Sequence, residues 1–114
     1  MPLCEITTNV TPDDAQALSA EAAGVVAQLL SKPLAYVMAM VHVNPSLTFG
    51  GNGEPAAYVS IGSIGAVGGD KNKAIVAGVT ELVGRALGVD ASRTYVGIQD
   101  IPRTDFGLGG RTFE

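Results

Sequence analysis

Three residues of this 114-residue chain carry groups that could act together on a small organic acid: Pro2, Lys32 and Ile64. Pro2 follows directly on Met1, so loss of that methionine would leave its ring nitrogen as a secondary amine. An ordinary N-terminal amine has a pKa of about 7.7–8.0, and a secondary amine is more basic. Burial and a neighbouring cation both penalise the protonated form, bringing the amine toward the neutral range where a general base works best. Lys32 would be the cation. The backbone N–H of Ile64 would help it hold a carboxylate or a developing oxyanion. Such a set would take a proton from an enol or an acidic carbon and return it to the neighbouring atom, without metal or cofactor. Each residue also has an ordinary reading. Proline in second place permits methionine removal and need do nothing more; a loop lysine is solvated; an isoleucine belongs in a core. Only their placement separates the two.

The elements that would place them follow from periodicity. Leu3 to Val10 alternates Cys4, Ile6, Thr8 and Val10 with Glu5, Thr7 and Asn9, which predicts a half-buried strand. Thr11-Pro12-Asp13-Asp14 predicts a helix start, with Thr11 as the cap and Pro12 in the first turn. Leu18, Ala22, Val25, Val26, Leu29 and Leu30 share one face of that helix, and Pro33 ends it. Ala35 to Val43 is apolar almost throughout, which predicts a strand covered on both faces. After a glycine-rich loop at Phe49 to Gly53, Ala56 to Ile64 is the third strand and Gly65 to Gly69 a turn. A second helix starts near Asp70, with Ile75, Val79, Leu82, Val83 and Ala86 on one face and Gly88 as its stop. Thr94 to Gln99 is the fourth strand, and the tail from Pro102 reads as irregular.

Two β-α-β units therefore follow one another, an α+β chain. Right-handed crossovers make each strand pair parallel. The simplest product is a single domain over residues 1–114, a four-stranded mixed sheet with both helices on one face. Its other face would be bare, which calls for a symmetric oligomer. In this topology Pro2 and Lys32 stand at the starts of two parallel strands. Ile64 ends a third strand that runs antiparallel beside the first. All three meet at one end of the sheet. Tyr95, on the face shared with Gly97 and Gln99, lies at the other end and would reach a Pro2 site only from a neighbouring copy. Equally, it is a buried interface tyrosine with a satisfied hydroxyl.

Composition excludes several classes. Hydrophobic residues make up 46% and charged residues 16%, with a net charge of −4 and no basic stripe, so nucleic acid is not an expected partner. No apolar run is long enough to span a bilayer, and no secretory leader is visible. The chain is expected to be soluble and cytoplasmic. The single cysteine, Cys4, can form neither an internal disulfide nor a cysteine-rich zinc site, and it reads as a core residue. His42 is the only histidine and has no second ligand spaced for it, so it reads as structural. Gly62 to Lys73 lacks the Gly-Lys-[Ser/Thr] of a phosphate loop. Asp100, Arg103 and Asp105 read as ordinary loop charges.

Met1-Pro2, Lys32-Pro33, Phe49-Gly50-Gly51 with Glu54-Pro55, Ser63-Ile64-Gly65, Arg93 with Tyr95, and Thr112-Phe113 occur in that order. On these residues the chain resembles the macrophage migration inhibitory factor and dopachrome tautomerase family over nearly its whole length. The resemblance implies a homotrimer with active sites between subunits, and keto–enol tautomerisation of α-keto acids such as phenylpyruvate. It implies Pro2 as catalytic base, with Lys32, Ile64, Tyr95, Gly97, Phe106 and Leu108 binding substrate. No metal or cofactor is implied. Gly97 stands where many relatives have asparagine, Leu108 where many have tryptophan, and Gln99 where many have an aromatic residue. A weak activity or a shifted substrate is the expectation. Some relatives carry Cys-x-x-Cys in the third strand. Here those positions read Ala56-Ala57-Tyr58-Val59, so thiol oxidoreductase chemistry is not expected. Family members also act as extracellular cytokines, leaving cells without a signal peptide. A binding protein with vestigial chemistry, its receptor unidentified, is the alternative.

Overall fold

A computed structural model describes residues 1–114. Strand β1 (Leu3–Thr8) leads to helix α1 (Ala15–Leu30) and strand β2 (Met38–Val43). Strand β3 (Ala57–Ser63), helix α2 (Gly69–Leu87) and strand β4 (Thr94–Asp100) repeat the pattern. The sheet order is β2-β1-β3-β4. β1 pairs parallel with β2 and antiparallel with β3, and β3 pairs parallel with β4. This is the mixed sheet that two β-α-β crossovers dictate.

Alternation decides which face is buried. Cys4, Ile6 and Thr8 of β1 and Ala57, Val59 and Ile61 of β3 point to the helices and are almost fully buried. Leu18, Ala22, Val26 and Leu30 of α1 and Ile75, Val79, Leu82 and Val83 of α2 close the other side of that core. The Thr8 hydroxyl donates to the Ala56 carbonyl at 2.8 Å, so its burial leaves no orphan. Cys4 is 1% exposed, and burial pushes its thiol up to about 12, with the Glu5 carboxylate adding a smaller push. It is a packing residue, not a nucleophile.

Four local expectations change. The cap of α1 is Asp14, whose carboxylate accepts the Ala17 N–H at 3.0 Å. Thr11 lies outside the helix, because the chain is not helical until after Asp14. Ala35 is not in β2: after Pro33 the chain makes one 3₁₀ turn over Leu34–Tyr36 and becomes a strand only at Met38. β2 is an edge strand covered on one face, not two. Ala39 and Val41 pack on the core, while Met38 is 63% exposed. The tail is not irregular: a 3₁₀ turn at Arg103–Asp105 precedes a hairpin of β5 (Gly107–Leu108) and β6 (Arg111–Thr112). Its turn uses Gly109 and Gly110 at φ 63° and 86°, the doubly left-handed geometry of a two-residue hairpin that other residues resist.

The remaining boundaries hold to within a residue or two. Gly88 closes α2 in the left-handed region at φ 68°, its N–H donating to Gly84. Asn9, just past β1, clasps the long loop before β3. Its amide donates to the carbonyls of Leu47, Gly53 and Glu54, and its side-chain oxygen accepts the Ala56 N–H. No helix is long and apolar enough to cross a membrane.

Candidate active site

The N-terminus is fastened at one end of the sheet. The Pro2 carbonyl accepts the Met38 N–H at 3.1 Å, which extends the β1–β2 ladder by one residue and buries the Pro2 ring. Lys32 arrives on the same side because α1 stops sharply. Ser31 adopts the left-handed conformation, and the Lys32 N–H turns back to the Ala27 carbonyl at 2.9 Å. Ile64 follows the last residue of β3. It is held between two bonds, Ile101 N–H to the Ser63 carbonyl at 2.8 Å and Gly65 N–H to the Asp100 carboxylate at 3.0 Å. Asp100 therefore has a structural task that an ordinary loop charge would not have.

Two cavities open at this end. The larger, about 480 Å³, is mostly apolar and is lined by Pro2, Tyr36, Met38, Phe106, Leu108 and Phe113 among others. The smaller, about 160 Å³, is lined by Met1, Lys32, Ile64, Arg103 and Phe113. Met1 and Phe113 belong to both walls and so divide them. Phe113 is fixed there by its N–H, which donates to the carbonyls of Arg103 and Phe106, and by its ring, 5.9 Å from that of Phe106.

The electrostatics favour an uncharged amine. With Met1 in place, the Pro2 nitrogen is an amide and the free amine belongs to Met1. That amine sits below its ordinary pKa, first because it is partly desolvated and second because the Lys32 cation is close. Pro2, the next residue, lines the same larger cavity as Met1.

The expected site residues thus divide. Lys32 and Ile64 share one cavity, Pro2, Phe106 and Leu108 share the other, and Met1 bridges them. Tyr95 and Gly97 are not there. Tyr95 is in register with Tyr58, which faces Thr7 at the far end of β1. Its ring packs 5.1 Å from Phe49, itself covered by the Arg93 guanidinium. Gly97 lies beneath Tyr58: a Cβ on residue 97 would meet the Tyr58 hydroxyl at 2.8 Å. Phe113 and Arg103 line the cavities without having been singled out as site residues. Phe113 belonged to a motif near the end of the chain. Arg103 had no periodic or spacing signal at all.

A family model described as macrophage migration inhibitory factor matches residues 1–114. The chain belongs to this family. A migration inhibitory factor homologue of Trichuris trichiura is 31% identical over 114 residues, covering 99% of this chain and 100% of that one. The Xenopus laevis factor is 30% identical, covering 99% of each chain. Among solved structures, the homologue from Prochlorococcus marinus superposes with a TM-score of 0.93 at 36% identity, covering 98% of this chain and 99% of that one. The family fold and the fold described above are the same.

Proposed function

We propose that the mature chain is a keto–enol tautomerase in which Pro2, freed of Met1, is the general base. The observation that carries this is the chain end itself. It lies at an apolar cavity, beside a lysine, where burial and charge both disfavour the protonated amine. In the ketonising direction the Pro2 nitrogen takes the enol O–H proton as the C–O bond becomes a carbonyl. The same proton is then delivered to the adjacent carbon, so no electrons leave the substrate and no co-reactant is needed. Lys32 and the Ile64 N–H hold the carboxylate, and the Phe106 and Leu108 side of the crevice takes the apolar remainder. Phenylpyruvate is the substrate class that the family resemblance implies.

The assembly belongs to the same proposal. A homotrimer would cover the bare sheet face, where Met38, Tyr58 and Tyr95 are 63%, 46% and 68% exposed. It would also carry Tyr95 and Gly97 of one copy toward the chain end of another. The chain would work in the cytoplasm or leave cells without a leader. A second reading, a binding protein with little catalysis, is favoured by one observation: residue 97 offers no side chain, and the Tyr58 hydroxyl occupies its space.

Pro2→Gly tests the chemistry. The variant keeps an N-terminal amine but not the ring, and positioned general bases typically contribute about 10²–10⁴-fold. Phenylpyruvate tautomerisation should fall by about a hundredfold or more. Intact mass should show that the active protein begins at Pro2. A variant as fast as its parent would remove Pro2 from the mechanism and leave the binding reading in place.

A further inference from the structure

We infer that Arg103 is a second anion-binding residue of the Lys32 crevice and that the substrate is an α-keto acid bearing a second carboxylate. This rests on the tautomerase reading above and names its substrate class.

The argument starts from charge balance. Lys32 and Arg103 line one cavity of about 160 Å³, and its other walls are Met1, Ile64 and Phe113. No carboxylate faces them there. The chain's ion pairs are Glu5–His42, Asp70–Lys73 and Glu21–Arg85, and neither crevice cation joins one. Near in sequence, the Asp100 carboxylate accepts the Gly65 N–H and Asp105 accepts the Thr104 hydroxyl at 2.8 Å, while Glu114, next to Phe113, joins no ion pair and lies outside the cavity lining. Two cations held together without a counter-charge repel each other, and that repulsion is relieved when an anion enters. In a chain of net charge −4 such a spot is set apart from its surroundings.

Position adds to charge. Arg103 is not on a free tail. It begins a 3₁₀ turn, and its carbonyl accepts the Phe113 N–H at 3.2 Å, which ties the turn to the residue dividing the two cavities. Its guanidinium makes no hydrogen bond within the chain and is free to present its planar fork to a carboxylate. A single carboxylate is served by Lys32 and the Ile64 N–H alone. A second anionic group on the substrate would give Arg103 a partner of its own.

The test compares a dianion with a monoanion in the mature protein. Oxaloacetate and phenylpyruvate serve as the reactive pair, succinate and butyrate as the unreactive one. Arg103→Ala should lower the kcat/KM of oxaloacetate relative to that of phenylpyruvate by about tenfold or more, through KM, and Arg103→Lys should recover part of that ratio. The same substitution should weaken succinate relative to butyrate in a calorimetric titration. Ratios that stay put in both variants overturn the inference, whatever Pro2→Gly does. A parent that tautomerises neither keto acid, yet binds succinate through Arg103, keeps the second anion site and overturns the keto-acid substrate.

Discussion

At the scale of single residues, Lys32 has two separable tasks. It lines the smaller cavity, where the proposed mechanism makes it the carboxylate partner, and its charge lowers the pKa of the Met1 amine. An amine acts as a base only when unprotonated, so the rate falls as pH drops through its pKa. Lys32→Ala removes a cation that disfavoured protonation. The amine pKa rises, and the acid limb of the kcat/KM profile moves to higher pH. Lost carboxylate binding should also raise KM by about tenfold. Lys32→Arg keeps the charge and should leave the acid limb near its original position. A pH profile measured on the three proteins checks this: an unmoved acid limb in the alanine variant would show that the lysine only binds. Lys32 was legible in the sequence because it precedes a proline at the end of an amphipathic helix. Arg103 was not, because its place beside Lys32 comes from a fold-back of the tail that no periodicity records.

At the scale of elements, turns and caps carry the site. The helices and strands were readable since each has a clean period, 3.6 in α1 and α2 and 2 in β1. Two misreadings were at element ends, and the other two were the second face of β2 and the tail hairpin. Thr11 and Asp14 are both competent caps, and the chain's path before the helix chose between them. Ala35 and Tyr36 looked like strand because apolar residues there line a cavity rather than a ladder. Asn9 shows how one side chain can organise a whole connection: its four bonds hold the loop that carries Phe49, against which Tyr95 stacks. Asn9→Ala should therefore cost about 1–3 kcal/mol of stability in urea denaturation, since several loop carbonyls and the Ala56 N–H lose their partner together. Asn9→Asp should be intermediate, keeping the acceptor for Ala56 and losing the donors. Equal stability in all three proteins would mean that the loop is held by the Arg93 bonds to Asn52, Glu54 and Pro55 instead.

At the scale of the whole molecule, one face of the sheet is left uncovered by the chain itself. Its core fills one side of the sheet, while Leu3, Glu5, Thr7, Met38, Met40, Tyr58 and Tyr95 lie on the other. The sequence announced this: two helices can cover only one face of four strands. The proposed trimer would close it, and that number is not written in any period. Sedimentation at micromolar concentration should give a three-chain mass. Placing a lysine at Ser60, central on that face and in register with Glu5 and Gly97, should shift the mass toward one chain while far-ultraviolet dichroism stays native. A three-chain mass that survives the lysine would put the contact elsewhere.

The lone thiol of Cys4 lies on the opposite, sealed side of that sheet, under both helices. A disulfide reagent can reach it only when the central strand parts from its cover. Its labelling rate in native buffer is therefore a clock for the deepest opening of the fold, free of interference from any second sulfhydryl. Because β1 begins immediately after Pro2, the same clock reports how firmly the reactive end of the chain is anchored. Ligands that grip the crevice should slow it.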